Sequence, residues 1–360
     1  MDHAQPLLDG GSSAAQCCPE DVLREILMYL FKGDVARCSL VCHSWLGACR
    51  GRLYTIVRFG TSTSDPLLSR TLYTSPHLLG LIRRFVLFPI YLHAEDTYKW
   101  MPSLAASSHV RSLVVSQTET NGPLRSILSS TPPFLSIKQV SLCYKTMERN
   151  GMSIQRVLEM FPNADSFALD LHPDIDDFSP PACGPHVIRR ISVRSFAGPV
   201  NTVVRFLETY ASSLTRLNIV GTVPPKEEII VRTLLSMTHI TSLAINVPGS
   251  PSPFLDHVVP QLPHLRDLHC RRPSYSSTLL QELPDHIHTL GLDECSNKES
   301  DVAAIEGMIW RSRARKTSLR ELRFPIDQLG AENKQRIEAA CADSGIHFSR
   351  CSLNYEFAIP

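Results

Sequence analysis

LTRLNI at residues 214–219 and ITSLAI at residues 240–245 share one spacing, with apolar side chains at the first, fourth and sixth positions. The same triplet occurs ten times along the chain, and successive triplets start 22 to 32 residues apart. Nine intervals of such similar length are typical of a repeat protein. The ten triplets are Ile82/Phe85/Leu87, Val110/Leu113/Val115, Ile137/Val140/Leu142, Ala164/Phe167/Leu169, Ile188/Ile191/Val193, Leu214/Leu217/Ile219, Ile240/Leu243/Ile245, Leu265/Leu268/Cys270, Ile287/Leu290/Leu292 and Leu319/Leu322/Phe324.

Each triplet is followed by a loop and an amphipathic stretch, as in SIQRVLEMF at 153–161, NTVVRFLETYA at 201–211 and KEEIIVRTLLSM at 226–237. The predicted unit is therefore strand, loop and helix, with a period in the range of leucine-rich repeats. One strand and one helix cannot bury their apolar faces alone, but stacked copies form a continuous parallel sheet backed by helices. We predict an irregular α/β leucine-rich-repeat solenoid over residues 60–360, with the sheet on its concave face and the helices on its convex face.

The end of the chain is expected to cap this solenoid, over roughly residues 330–360. The helical stretch GAENKQRIEAACADSG ends at Gly345, which suits the left-handed position after a helix C-terminus. The segment HFSRCSLNYEF that follows is expected to close the stack.

The first sixty residues have a different pattern. Residues 1–16 are rich in Gly, Ser and Ala and are predicted to be a disordered tail. CPEDVLREILMYL predicts one helix, DVARCSLVC a second with Asp34 as its N-cap, and a third is expected to begin near Ser44. Strand character follows at residues 54–59. Three short helices can bury only a small core, so this module is expected to lean on a neighbour or a partner.

The first of these helices has an apolar face, because Leu23, Ile26, Leu27 and Leu30 stand at i, i+3, i+4 and i+7. This face could form the core of the module or dock on a partner. Trp45 is open to the same two interpretations, as a core anchor or as a contact with a partner.

The module also carries a motif at Pro19, Leu23, Ile26, Leu30, Asp34, Cys38, Val41-Cys42, Trp45 and Leu53-Tyr54. This motif resembles the F-box-like family, and especially the version found in many F-box proteins of basidiomycete fungi. Its most specific step is VC-x-x-W, whereas Cys18 and Asp21 stand where the family usually has Leu and Glu. The predicted fold class is therefore α+β overall, with a three-helix F-box at residues 17–59 in front of the solenoid.

The resemblance implies a division of labour. The F-box helices dock on a Skp-type adaptor, which bridges to a cullin and its RING partner, and the repeat region binds a protein substrate. Ubiquitin transfer takes place on other subunits, so the chain itself is expected not to be an enzyme. An alternative is an interaction scaffold with a degenerate F-box and no ligase role, which Cys18 leaves open. The residues predicted to bind the adaptor are Cys18, Pro19, Leu23, Ile26, Leu27, Leu30 and Trp45.

The substrate surface is predicted on the sheet face opposite the triplets, because side chains alternate between the two faces of a strand. The middle of this face is basic at Arg190, Arg194 and Arg216, which would suit an acidic or phosphorylated segment. An ordinary solvated sheet face of mixed charge is the alternative. The predicted substrate-binding residues are Arg190, Arg194, Arg216, Asn218, His269 and Arg271.

Charge and hydropathy give no support for several classes of function. A net charge of +1 gives no reason to expect a nucleic-acid or membrane-surface partner. No apolar run approaches the roughly 18 to 20 residues that cross a bilayer, and the first fifteen residues lack the features of a signal peptide. We therefore expect an intracellular protein, cytoplasmic or nuclear or both.

Eleven cysteines are an odd number, which argues against a disulfide framework. Cys38, Cys42, His43 and Cys49, with Cys17-Cys18 nearby, could supply zinc ligands if Cys38 and Cys42 share a helix. No C-x-x-C pair is present, however, and the family pattern places Cys38 and Cys42 in the core, so we expect no metal and no cofactor. Catalytic motifs such as G-x-S-x-G, H-E-x-x-H and the P-loop do not occur, although an enzyme hidden in an irregular α/β domain is a third possibility.

Overall fold

The structure is a computed structural model that describes residues 18–59, 65–88, 99–115, 131–142, 154–170, 187–194, 200–221, 227–248, 252–293, 299–315, 317–324 and 329–350. The predicted tail at residues 1–16 lies outside these ranges. A helical module opens the described chain, and a single parallel sheet with helices occupies the rest.

The module consists of helices α1 (Glu20–Met28), α2 (Lys32–Cys38) and α3 (His43–Tyr54). Its small core is formed by five buried side chains, with Cys18, Leu30, Cys38, Trp45 and Leu53 packed against it. The five buried residues are Leu23, Leu27, Val35, Ala48 and Cys49.

The predicted bounds of α2 were wrong at both ends. Phe31 is the N-cap, because its carbonyl accepts the Val35 N–H at 3.0 Å, and Asp34 lies inside the first turn, where its charge complements the helix dipole. The helix ends at Cys38, and a turn separates it from Cys42, the N-cap of α3. Cys38 and Cys42 therefore do not share a helix, which removes the premise of the zinc hypothesis.

Within the described ranges, twelve parallel strands form one sheet in the order of the sequence. The strand predicted at residues 54–59 is β1, so the module leads directly into the sheet. The strands are β1 (Ile56–Phe59), β2 (Arg84–Leu87), β3 (Ser112–Val115), β4 (Gln139–Leu142), β5 (Ser166–Asp170), β6 (Arg190–Arg194), β7 (Arg216–Val220), β8 (Ser242–Asn246), β9 (Asp267–Arg271), β10 (Thr289–Asp293), β11 (Glu321–Phe324) and β12 (His347–Arg350).

The ten apolar triplets belong to strands β2–β11, and all thirty of their side chains are buried in one continuous core. Helices between the strands supply the other side of that core. The three helices predicted from the sequence are confirmed as α6, α7 and α8. The helices after the module are α4 (Asp65–Thr74), α5 (Met101–Ala106), α6 (Ile154–Met160), α7 (Val200–Tyr210), α8 (Glu227–Leu235), α9 (Leu255–Val258), α10 (Ser277–Gln281), α11 (Glu299–Arg315) and α12 (Ala331–Ser344), with 3-10 turns at Pro76–Leu81 and Val259–Gln261.

The last described helix ends as the sequence predicts. Gly345 adopts φ 69° and ψ 21°, and its N–H and that of Ile346 return to carbonyls of the final turn. Only glycine adopts this left-handed conformation without a steric penalty. β12 then pairs with β11 and adds the last strand of the sheet.

The module is joined to the sheet through hydrogen bonds as well as through the chain. The Thr55 carbonyl accepts the N–H groups of Arg83 and Arg84, each at 3.0 Å, and Lys32 Nζ donates to the Ile56 carbonyl at 2.8 Å. Partial burial, with Arg58 and Arg52 nearby, lowers the pKa of Lys32. These bonds fix where α2 and α3 lie relative to the first strands.

Candidate functional site

Exposed apolar side chains are concentrated on the helical module. Seven of the twelve large hydrophobic residues that are exposed in the described part of the chain fall between residues 22 and 41. Exposed apolar side chains gathered on one small module indicate a site of interaction with another molecule. We call these seven residues the apolar patch: Val22, Ile26, Met28, Tyr29, Phe31, Leu40 and Val41.

Helix α1 contributes to both the core and the patch, and its turn geometry explains how. Each residue of a helix is rotated by about 100° from the one before it. Viewed down the axis of α1, Leu23 therefore lies between Ile26 and Leu27, which mark the two ends of one arc. Leu23 and Leu27 are 1% and 0% exposed, whereas Ile26 is 45% exposed. α2 and α3 cover one end of the arc and leave the other to solvent.

The prediction that Leu23 and Leu27 touch the adaptor is therefore corrected. Both side chains are enclosed by Val35, Ala48 and Cys49, so they have no surface to offer a partner. Three helices of nine, seven and twelve residues have few inward positions, and the core must use the best of them.

The other predicted docking residues, apart from Ile26, keep some exposed surface. Pro19 is exposed at the N-cap of α1, and its carbonyl accepts the Leu23 N–H at 2.9 Å. Cys18, Leu30 and Trp45 are half-buried and pack against the module core. Trp45 thus acts as a core anchor while part of its ring remains accessible.

Six residues of the patch were missed by the sequence analysis, namely all except Ile26. Tyr29 and Phe31 lie between α1 and α2, and Leu40 and Val41 lie in the turn before α3. For these four residues the sequence does carry a signal, because an apolar side chain in a turn between helices seldom has an inward position to occupy.

Positive charge borders the patch where α1 ends. Arg52 Nε and Nη2 each donate at 3.4 Å, to the carbonyls of Leu27 and Met28, which belong to the last turn of α1. A cation in this position satisfies carbonyls that lack a helical partner and complements the negative end of the helix dipole. The bonds hold α1 against α3 and so fix the position of the patch.

The described cysteines of the module are not gathered around one point. Among the described residues, no group of three or more His, Cys, Asp or Glu side chains is arranged to hold a metal ion, and Cys17 lies outside those residues. Cys49 is buried, which raises its pKa. Cys42 Sγ lies 3.0 Å from Ser44 Oγ, and this hydrogen bond lowers the pKa of the Cys42 thiol.

The basic group predicted on the sheet lies on β6 and β7. Arg190 is the register partner of Arg216, and Arg194 follows on β6. Arg194 and Arg216 are exposed and Arg190 is half-buried. None of the three forms an ion pair within the described ranges, so their charges are available to an anionic partner.

Asn218 was predicted on the same surface but is only 1% exposed. Its Nδ2 donates to Ser192 Oγ of the neighbouring strand at 3.1 Å. The side chain is therefore a cross-strand link between β6 and β7, and the prediction that it binds substrate is corrected. Alternation along a strand places Asn218 on this face of the sheet but does not show that the position is covered.

His269 and Arg271, the last two predicted substrate residues, lie on β9. Burial lowers the pKa of His269 to about 4, aided by Arg323 and opposed by Glu321. The imidazole is therefore neutral at neutral pH and adds no charge to the surface. Arg271 is half-buried, and its Nη1 donates to Asn246 Oδ1 at 3.0 Å.

In the part of the chain that the structure describes, no helix has the length and apolar character needed to span a membrane. Residues 17–59 match the family model described as F-box-like, which confirms the resemblance found in the sequence. The helical module is thus an F-box-like domain, a class that suggests a role in binding a ubiquitin-ligase adaptor. No curated protein matches the chain.

Proposed function

We propose that this chain is the substrate-recognition subunit of a ubiquitin ligase built from a Skp-type adaptor, a cullin and a RING protein. The F-box-like module docks on the adaptor, and the sheet region binds a protein substrate. The observation that carries the proposal is the apolar patch, an exposed hydrophobic surface on a module that is too small to bury it.

The energetics of docking support this role. Fully burying one side chain of the size of Ile, Met or Phe contributes roughly 1.5–3 kcal/mol. Covering several of the seven side chains offsets the estimated 4–15 kcal/mol that association costs in translational and rotational freedom. Burial of the exposed part of these side chains therefore supports association with a protein.

The sheet region supplies the second half of the proposal. Its strands follow one another in sequence order, and its repeating unit is strand, loop and helix, which supports an irregular leucine-rich-repeat solenoid. Arg190, Arg194 and Arg216 form its candidate substrate surface. We propose a non-enzymatic role in the cytoplasm or nucleus. We also propose that the module belongs to the F-box type found in basidiomycete fungi.

The test is co-purification of a Skp-type adaptor with the full chain. Ile26→Asp with Phe31→Asp places two charges in the apolar patch without entering the core, and it should abolish adaptor capture while circular dichroism stays unchanged. Leu23 is unsuitable for this test, because a buried aspartate would unfold the module. The matched control is Leu135→Asp with Val187→Asp, which alters two exposed apolar residues in the sheet region.

The control variant should capture the adaptor as well as wild type does. Equal capture by the Ile26→Asp/Phe31→Asp variant would refute docking through the patch. If wild type itself captures no adaptor, the proposal fails as a whole and the chain is an interaction scaffold without a ligase role.

A further inference from the structure

The residues that immediately precede strands β2–β11 form a continuous line along one rim of the sheet. The N–H of Arg111 donates to the Arg83 carbonyl at 2.8 Å, that of Lys138 to Arg111 at 2.9 Å, and the pattern continues strand by strand. We call this line the strand-start rim. Its ten residues are Arg83, Arg111, Lys138, Asp165, Arg189, Thr215, Thr241, Arg266, His288 and Arg320.

The strand-start rim is strongly basic. Six of its ten residues are Arg or Lys and one is Asp, whereas the whole chain has 36 basic and 35 acidic residues. All six basic side chains are exposed, and none forms an ion pair within the described residues. The positive charge is therefore a local feature of this rim and does not follow from the composition.

Three of these cations stand on consecutive strands next to the F-box-like module. Arg83, Arg111 and Lys138 precede β2, β3 and β4, and neighbouring strands lie about 4.8 Å apart. Aligned like charges at this spacing repel one another, which costs stability unless an anion compensates them. We call these three residues the basic rim.

The side chains of the basic rim are held in place. Arg83 Nη1 donates to the Gly80 carbonyl at 2.9 Å, Arg111 Nη1 to Ser136 at 3.4 Å and Lys138 Nζ to Asn163 at 3.1 Å. Each of these bonds uses one N–H donor, whereas an arginine guanidinium has five such donors and a lysine ammonium has three. The remaining donors are pre-oriented along the rim, so a ligand has less side-chain entropy to remove.

The rim also has a concave stretch further along the sheet. An open cavity of about 420 Å³ lies beside β7–β9 and is lined by Arg266, His239, His264 and hydroxyl-bearing residues. The hydroxyls of Thr215 and Thr241 already donate to backbone carbonyls at 3.0 Å, so they are less able to donate to an anion than Arg266 and the two imidazoles are. This cavity belongs to β7–β9 and lies outside the three strands that carry Arg83, Arg111 and Lys138.

We propose that the basic rim binds an extended acidic segment of a polypeptide partner, which crosses the starts of β2, β3 and β4. The inference rests on the proposed function and deepens it by adding a second cationic surface, separate from Arg190, Arg194 and Arg216, at which the sheet region meets its partner. Charge-assisted hydrogen bonds from three adjacent cations to carboxylates are stronger than neutral ones and favour Glu- or Asp-rich chains.

Single-stranded nucleic acid is the competing polyanion. Its binding without sequence preference relies on aromatic side chains on which bases stack. The ten residues of the strand-start rim include no Phe, Tyr or Trp. The rim therefore fits carboxylates better than a stacked base.

The test measures binding of a fluorescein-labelled twelve-residue Glu peptide to the full chain by fluorescence anisotropy. Arg83→Glu with Arg111→Glu and Lys138→Glu should weaken binding at least about tenfold, because three attractive contacts become repulsive. The control is Arg70→Glu with Arg205→Glu and Arg315→Glu, which changes the net charge equally at exposed positions on α4, α7 and α11. The control should alter the Kd less than about threefold, as expected for distant, screened charges.

Equal weakening by the rim and control variants would show attraction to net charge alone and would overturn the proposal. Tighter binding of a labelled oligouridine with the same dependence on the rim would overturn it in favour of nucleic acid. The assay contains no adaptor, so it fails or succeeds independently of F-box docking. Adaptor co-purification by the rim variant, expected to be normal, separates the two proposals further.

Discussion

The imidazole of His269 lies directly over Gly291 on the adjacent strand. A Cβ built on Gly291 would stand 1.7 Å from Nε2 of His269 and 1.8 Å from Cε1, a separation that no real contact allows. The two residues are register partners on β9 and β10, so the glycine is what permits the histidine ring to lie flat across the sheet. This pair gives the first prediction.

Gly291→Ala should lower the free energy of unfolding by about 1–3 kcal/mol, the usual cost of overpacking. Urea unfolding measures the change. Gly47→Ala is the matched control, because nothing lies within 4 Å of its added Cβ on α3, and there the substitution should be neutral or stabilising. Adding His269→Ala to Gly291→Ala should recover part of the loss; no recovery would mean that the clash is not with the imidazole.

His269 should also make stability depend on pH. Its pKa is about 4 in the folded chain and about 6.5 when unfolded. Between pH 4 and 6.5 the imidazole is protonated in the unfolded chain but not in the folded one. The free energy of unfolding is therefore at its full value above pH 6.5 and falls as the pH drops towards 4. Thermal unfolding of wild type and His269→Gln across this range tests the prediction. The variant should have the flatter profile, and parallel profiles would exclude His269 as the source.

Asn218 should be a structural residue and not a substrate contact. Asn218→Ala leaves the Ser192 hydroxyl without its partner in a buried position, at a cost of about 1–3 kcal/mol. Asn218→Val with Ser192→Ala removes both polar groups and should cost much less. Substrate or peptide binding should be unchanged in the double variant; a large loss of binding there would restore Asn218 to the interaction surface.

Substitution of Leu23 should reduce stability, whereas substitution of Ile26 should reduce adaptor binding. Leu23→Ala opens a cavity in the module core and should lower stability by about 2–5 kcal/mol. Ile26→Ala removes a 45% exposed side chain and should change stability by less than about 0.5 kcal/mol, yet weaken adaptor binding. Chemical denaturation and adaptor titration on the same two proteins decide this. Similar stability losses in both would mean that Ile26 belongs to the core.

The periodic triplets were sufficient to predict the parallel sheet. A residue such as Leu217 or Leu243 repeats at the same position of every unit, and a repeated apolar position in a stacked fold has only the shared core to occupy. The same reasoning located α6, α7 and α8 and the helix end at Gly345.

The sequence was less informative about which side chains remain accessible. On α1, the spacing places Leu23 and Ile26 on one face, and only the positions of α2 and α3 separate them. On the sheet, alternation assigns Asn218 and Arg216 to the same face, although one is buried and the other exposed. Accessibility depends on tertiary neighbours, which spacing along one element does not specify.

The basic rim, in contrast, can be recognised from the sequence. Arg83, Arg111 and Lys138 each stand directly after the first residue of a triplet, so the repeat that predicted the sheet also aligned these cations. Reading the polar positions of the repeat with the same period would have found them.

The central claim is that the apolar patch docks on a Skp-type adaptor, and calorimetric titration of the purified full chain with that adaptor tests it most directly. We expect saturable one-to-one binding with a negative heat-capacity change, the signature of apolar surface leaving water, and loss of both in Ile26→Asp/Phe31→Asp. Binding that the double variant retains, or wild-type chain that does not bind the adaptor, would contradict it.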